Sequence, residues 1–472
     1  MIKAVAFSGK HYAVYGLARS GLATVEALLA SGAKVTAWDV DEEARERLST
    51  SLRAKLVGRG TSEAGGGVDS TNPSTIESSF DRPPPQPSAR EELTIADLDT
   101  VDLTQFDSLV VSPGVPLNRH PIAQRARDAG VEIIGDIELF ARARAELPPH
   151  KVVGITGTNG KSTTTALVHH ILQTAGVRSA MGGNIGLPIL AQEPLPEGGV
   201  YVLELSSYQL DLTQTLDCDV AVLLNITPDH LDRYESFEAY AASKARLFEM
   251  QTSGRAAIIA EDNRLTQEIG SKLGRDGYWL GNKLVCVSGT DVEVQSSFPA
   301  LQGPHNAQNI ACAVAACRHL GVAYATIVQG LETFPGLPHR MERIREKAGV
   351  IFVNDSKATN PTAAAPALAA FPAIRWILGG QAKSDSLDEC EPHFGHVRSA
   401  YTIGEAAELF ERLLKPHMAV KNCRELGEAV RQAANDAQAG DTVLLSPAGA
   451  SFDQFRDFEE RGETFRALVG AL

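Results

Sequence analysis

The sequence predicts an α/β protein of three domains: an N-terminal Rossmann-like block, a central block with a P-loop ATPase-type parallel sheet, and a C-terminal Rossmann-like block. Three observations carry this expectation. Short apolar runs alternate with helical patterns along the chain, the order that builds parallel sheets. One glycine-rich loop, Gly157 to Thr163, follows an apolar strand and opens a helix. The length, 472 residues, corresponds to about three domains at roughly 150 residues each.

The first block is placed at 1–145. It opens with a strand at 11–15, a glycine turn, a helix at 20–30 stopped by Gly32, and a strand at 34–39. Further strands are expected at 108–111 and 131–134. Between them, 58–92 is rich in Gly, Ser, Thr and Pro. It holds too little apolar surface to offset chain entropy and reads as a mobile surface insertion. Leu147-Pro148-Pro149-His150 marks a linker, because prolines end helices and stiffen connections. The central block, 146–336, has strand patterns at 151–156, 200–205, 220–225 and 255–260, and helical patterns at 164–175 and 237–250. Phe334-Pro335-Gly336-Leu337-Pro338 breaks the pattern and reads as a hinge. The last block, 337–472, has strand patterns at 350–354, 375–378, 400–403 and 442–445.

Composition narrows the function. There are 44 Lys and Arg against 58 Asp and Glu, a net charge of −14. Nucleic-acid binders usually carry a basic footprint, so no nucleic-acid partner is expected. No apolar run approaches the ~20 residues of a membrane span, and the first ten residues lack a signal-peptide core. The six cysteines are scattered, with no CxxC pair, which fits a reducing compartment and argues against zinc. The expectation is a cytoplasmic protein without membrane contact.

The strongest motif is Gly157-Thr158-Asn159-Gly160-Lys161-Ser162-Thr163. Glycines let backbone N–H groups close round phosphates, and the helix N-terminus adds its positive end. Lys161 is expected on the β/γ-phosphates, with Ser162 or Thr163 offering a hydroxyl to Mg²⁺. The spacing departs from the usual motif, since Ile155 stands at the first glycine position. Glu204 ends an apolar strand and His230 follows the next one; an acid and an imidazole there suit a metal–nucleotide site, although each residue alone is more ordinary than that. The N-terminal turn Gly16-Leu17-Ala18-Arg19-Ser20-Gly21 imitates a dinucleotide fingerprint, with Asp39 ending the next strand. Ala18 replaces the second glycine, so a redox dinucleotide is disfavoured and another nucleotide diphosphate is possible. Three strand-end clusters, 354–360, 379–384 and 446–451, are expected on one rim, where Lys357, Lys383, Thr359 and Ser451 suit carboxylates. Arg340 sits at the domain junction and is aimed at a triphosphate.

Taken together these stretches resemble the Mur ligase family, in its D-glutamate-adding branch. The match rests on Ser112-Pro113-Gly114-Val115, Gly135 to Phe140, Thr156 to Thr163, Gly182 to Gly186, Leu203 to Ser207, Leu337 to Arg340, Asn354 to Asn360 and Ser446 to Phe455. The Asp-Asn-Pro-Arg signature of the diamino-acid-adding relative is absent. The resemblance implies ATP-dependent ligation of D-glutamate to UDP-N-acetylmuramoyl-L-alanine through an acyl phosphate, in peptidoglycan precursor synthesis, by a monomer using two Mg²⁺ ions. It implies that Gly157 to Thr163, Asn306, Asn309, Arg340 and Asp355 bind ATP, the two asparagines near the adenine. The UDP-sugar falls to Ser20, Asp39, Ser112, Gly114, Asn184 and Ser206, and D-glutamate to Thr359, Lys383, Ser451 and Phe458. Ser162, Glu204, His230 and a carbamylated Lys244 would hold metal, and Lys161, His230, Lys244 and Arg340 would be the catalytic set. Composition alone would leave Lys244 a solvated helix lysine. Gln381 stands where the family suggests an acid, and Gly449 where it suggests a cysteine. Two other readings remain open: a different amino-acid ligase of the Mur and folylpolyglutamate group, and a nucleotide-binding regulatory protein without ligation.

Overall fold

The computed structural model describes residues 1–50, 92–229, 232–275, 283–291 and 295–472. The expected insertion at 58–92, apart from its last residue, and His230 lie outside the described residues. The chain forms two compact units. One comprises Met1–Thr156, Ala180–Asp219 and Pro228–Thr252; the other comprises Gly157–Ser179, Val220–Thr227 and Ser253–Leu472.

The first unit contains a five-stranded parallel sheet in the order Leu93–Ile95, Lys34–Trp38, His11–Tyr15, Ser108–Val111, Glu132–Ile134. His11–Tyr15 is central because its residues are apolar on both faces: Tyr12, Ala13, Val14 and Tyr15 are all buried. The order reverses beside it, where ligands enter open α/β sheets. The strand His150–Thr156 pairs in parallel with Gly199–Glu204, which is buried along its whole length.

The second unit holds the parallel strands Val220–Leu223, Ala256–Ala260 and Lys283–Val287. It also holds a six-stranded sheet in the order Glu342–Lys347, Val350–Asn354, Thr442–Leu445, Ile374–Gly379, Val397–Ile403, Ala419–Arg424. Only Glu342–Lys347 runs antiparallel. Helices cover both faces of this sheet, sealing one core around Trp376 and Leu444 and another around Ile377, Tyr401 and Leu445.

The sequence-derived strands are all present, with shifted ends. The helix after the glycine-rich loop begins at Lys161 rather than at 164, because its first turn, Lys161-Ser162-Thr163-Thr164, is polar and carries no apolar pattern to reveal it. The strands Ser179–Gly183, Lys283–Val287, Glu342–Lys347 and Ala419–Arg424 escape a pattern search: they are short, glycine-bearing or largely polar edge strands.

Candidate active site

The glycine-rich loop is held from below by one asparagine. The Thr158 amide donates to the Asn225 carbonyl at 2.8 Å, and the Asn159 amide donates to Asn225 Oδ1 at 2.8 Å. Thr158 Oγ1 donates to the Thr227 carbonyl at 3.1 Å. The turn needs Gly160: its φ is +83°, and a Cβ there would lie 2.2 Å from Asn309 Oδ1. Lys161 folds back so that Nζ donates to the carbonyls of Gly157 and Thr158, at 2.9 and 2.7 Å. Its ammonium is thereby fixed over the loop where a phosphate chain would lie.

Beside the loop opens a cleft with mixed polar and apolar walls. Asn159, Gly160, Thr163, Asn306, Asn309, Arg340 and Asp355 all line it. The sequence therefore assigned seven residues, from four separate stretches, that share one cleft. Arg340 reaches the loop by donating from Nη2 to Ser162 Oγ at 3.1 Å. The bend that aims it comes from His339 and Met341, both at positive φ, with the Arg340 amide bonded to the Leu337 carbonyl. His339 is buried, and its Nδ1 lies 3.0 Å from Asn354 Nδ2. Apolar walls come from Ala300, Phe334, Leu337, Met341 and Pro366. Burial pushes the Asp355 carboxyl up to about 7, against the opposing pull of Ser446 Oγ, the Met341 amide and the Arg340 charge.

Around the strand ends of the six-stranded sheet, the three predicted clusters do meet on one rim. Val350–Asn354, Thr442–Leu445 and Ile374–Gly379 are adjacent and parallel. Ser451 is buried, Lys383 is exposed, and Thr359 and Phe458 are half-buried. Lys357 Nζ lies 5.0 Å from the centre of the Phe458 ring. Residues that motif reasoning missed hold this rim. Arg461 is 1% exposed and donates to Ser356 Oγ and to the carbonyls of Ser356, Gly379, Gly449 and Ala450. Gly449, the departure from the expected cysteine, has a reason here: a Cβ would sit 2.9 Å from the Gly379 carbonyl oxygen. Gln381 pairs with Ala450 in a two-stranded ladder, and its Nε2 approaches Glu405 Oε2 at 3.4 Å.

In the other unit, Asp39 secures the N-terminal turn: Oδ2 accepts from the Leu17 amide at 2.5 Å and Oδ1 from the Asp41 amide at 2.9 Å. Ser112 Oγ donates to the Gly16 carbonyl at 2.7 Å, and Gly114 has open space where a side chain would be. Ser20 and Ser112 border a small cavity floored by Asp136, whose carboxyl burial raises to about 6. Ser206 caps a short helix in a reciprocal capping box with Gln209. Asn184 donates through Nδ2 to Glu204 Oε1 at 2.9 Å, and its amide donates to the Glu204 carbonyl at 2.9 Å. Glu204 is 2% exposed, and its Oε2 is buried with no hydrogen-bond partner among the described residues. A buried carboxylate oxygen left bare is costly and suits a cation ligand. Lys244 is not a solvated helix lysine: it is 1% exposed, with Nζ 4.5 Å from the Tyr240 ring centre. Among the described residues, no three His, Cys, Asp or Glu gather as a protein-only metal cage. The six cysteines are free thiols, and no helix among the described residues is long and apolar enough to cross a membrane.

Comparison with known proteins matches this geometry to a family. Residues 155–317 fit the Mur ligase middle domain, and residues 339–449 fit the Mur ligase glutamate ligase domain. The UDP-N-acetylmuramoylalanine–D-glutamate ligase of Novosphingobium aromaticivorans is 56% identical over 472 residues, covering 100% of this chain and 97% of that protein. The chain belongs to the Mur ligase family. This Mur ligase also shares its α/β fold with solved relatives. The UDP-N-acetylmuramate–alanine ligase MurC of Thermotoga maritima superposes with a TM-score of 0.55 at 16% identity, over 98% of this chain and 99% of that one. The MurF ligase of Thermotoga maritima, solved in complex with ADP, gives 0.54 at 18% identity over 75% and 92%.

Proposed function

We propose that this Mur ligase joins D-glutamate to UDP-N-acetylmuramoyl-L-alanine at the expense of ATP, as a step of peptidoglycan precursor synthesis. The observation that carries the reading is the cleft in which the glycine-rich loop shares walls with Asn306, Asn309, Arg340 and Asp355; the full-length identity to D-glutamate ligases supports the choice of substrates. In this reading 1–145 receives the UDP-sugar, 146–336 ATP and 337–472 the amino acid, in a cytoplasmic monomer.

The chemistry follows from the charges. A carboxylate is a poor electrophile, so an oxygen of the L-alanyl carboxylate attacks the γ-phosphorus, the bond from that phosphorus to the bridging oxygen breaks, and ADP leaves. Both reactants are anions. Lys161, fixed over its loop, and Arg340, anchored on Ser162, offset the repulsion as charge moves to the leaving ADP. The amine of D-glutamate, having lost a proton, attacks the acyl carbon; the tetrahedral centre expels inorganic phosphate and leaves an amide. Thr359, Lys383, Ser451 and Phe458 would orient the amino acid by its carboxylates and chain. Ser162, Glu204, His230 and a carbamylated Lys244 would hold two Mg²⁺ ions, the bare Glu204 Oε2 being the feature that fits best. Bound Mg²⁺ supplies neutralisation of phosphate charge. Carbamylation would turn the buried Lys244 ammonium into an oxygen ligand.

The test is ADP release with UDP-N-acetylmuramoyl-L-alanine and single amino acids. D-glutamate should support turnover at least about a hundredfold above L-glutamate; equal rates would overturn the substrate assignment. ATP turnover that ignores the amino acid, or none at all, would favour a regulatory nucleotide-binding protein instead. Lys161→Ala and Lys244→Ala should each lower kcat by orders of magnitude.

A further inference from the structure

Asn225 holds the glycine-rich loop, and a second amide side chain holds Asn225. Asn225 Oδ1 accepts from the Asn159 amide at 2.8 Å, while its Nδ2 donates to the Asn159 carbonyl at 3.2 Å and to Gln308 Oε1 at 2.9 Å. Gln308 stands on the helix Pro304–His319, is buried, and donates from Nε2 to Asp262 Oδ2 at 2.9 Å. Asp262 follows the strand Ala256–Ala260 and is itself fixed: Oδ1 accepts from Ser288 Oγ at 2.6 Å, and Oδ1 and Oδ2 accept from the Gly289 amide at 3.2 and 3.1 Å. Burial pulls its pKa upward, but the hydrogen bonds from Ser288, Gln308 and Gly289 outweigh that and hold the carboxyl below its ordinary value. An ionised carboxylate only accepts. Asp262 therefore decides which end of the Gln308 amide faces it, so that Oε1 faces Asn225. That in turn decides that Asn225 aims Oδ1 at the Asn159 N–H. An Asn225 side chain turned over would set an NH₂ group against that N–H instead. Every member of this chain lies in one compact unit.

We propose that Gln308 is a positioning residue for phosphate binding: it relays the orientation set by Asp262 to Asn225 and so locks the glycine-rich loop in one shape at Asn159. Among the described residues the cleft wall includes Asn159 and Asn225 but neither Gln308 nor Asp262, so the relay acts from behind the loop. A loop whose shape is fixed in advance needs no reordering when a phosphate chain arrives. The inference rests on the reading of the cleft as the ATP site and adds what keeps its loop in register.

Equilibrium binding of ADP to the full chain tests it, with two single variants and their combination. Asp262→Asn keeps the size of the side chain and lets the Gln308 amide turn over; Gln308→Glu sets a second carboxylate against Asp262. Each alone should weaken ADP binding at least about fivefold. Together they exchange the two groups: the carboxylate now sits at position 308, accepting from Asn225 Nδ2, and the donor at position 262, with net charge unchanged. The combined variant should bind ADP at least about threefold more tightly than the weaker single variant. Loss of packing alone would accumulate in the combination rather than reverse. Single variants that bind ADP as tightly as the unaltered protein, or a combination no better than the weaker single, overturn the proposal. If a single variant fails to fold, Gln308→Leu decides by steady-state kinetics: KM for ATP should rise at least about fivefold with KM for D-glutamate within about twofold, and an equal rise in both, or none, overturns it. Failure of the unaltered protein to bind ADP would instead overturn the ATP-site reading beneath it.

Discussion

Asp355 shows how one buried group links the cleft to pH. Its carboxyl is buried at the wall of the cleft, with one oxygen accepting from Ser446 Oγ at 2.8 Å and the other from the Met341 amide at 3.2 Å. Burial dominates those bonds and raises its pKa to about 7. The folded chain therefore binds this proton more tightly than the unfolded chain. The stability that protonation contributes is fully present below the unfolded carboxylate value and is lost as pH rises through about 7. Asp355→Asn cannot ionise. The variant's Tm relative to the unaltered protein should rise from about pH 4 to about pH 7 and level off above that, read by thermal scans in matched buffers. A Tm difference independent of pH would contradict the assignment. At this scale the sequence was partly legible. Lys161 could be picked out from its glycine-rich loop, whereas Asn306, Asn309 and Asp355 came only with the family resemblance. Lys244 could not be assigned by chemistry alone, because what distinguishes it is burial, and burial is a property of the fold.

Elements were legible where both faces of a strand are apolar and illegible where a strand is an edge. Val350–Asn354 and Thr442–Leu445 announce themselves as apolar runs, whereas Glu342–Lys347 is mostly charged, with Ile344 its one apolar residue against the core. The same limit hid Arg461. An arginine in the first turn of a helix reads as solvated, yet this one is enclosed among four carbonyl oxygens and a hydroxyl from three strand ends. It converts three separate loops into one rim carrying Ser451 and the Asn354–Thr359 cluster. Removing it strands several buried acceptors at about 1–3 kcal/mol each. Arg461→Met should therefore cost at least about 3 kcal/mol in urea unfolding. Arg461→Lys should recover little of that, since a lysine cannot spread its donors in a planar fork. Stability within about 1 kcal/mol of the parent in both variants would mean that the rim holds itself together without the guanidinium. A related prediction concerns Gly160, where φ of +83° and the closeness of Asn309 Oδ1 exclude a side chain. Gly160→Ala should weaken ADP binding at least tenfold in a titration while leaving far-UV circular dichroism unchanged.

For the whole molecule, the decisive fact is that every described residue lining the proposed nucleotide cleft belongs to a single compact unit. The three-block organisation read from chain length and breaks says nothing of this. It follows from where the glycine-rich loop, the helix Pro304–His319 and the Leu337–Arg340 turn pack, and none of those packings is written in local pattern. A cleft whose described lining lies within one unit is expected to bind nucleotide in the absence of the other substrates. A non-hydrolysable ATP analogue should therefore bind when UDP-N-acetylmuramoyl-L-alanine and D-glutamate are both absent, with an affinity within about threefold of that measured in the presence of the UDP-sugar. By mass action, analogue at a hundred times its Kd stabilises the folded chain by about 2.7 kcal/mol, enough to raise Tm by a few degrees in a scan without other ligands. If the analogue left Tm unmoved until the UDP-sugar was added, the cleft would be incomplete on its own, and nucleotide binding would have to be assembled by the first substrate rather than built into the fold.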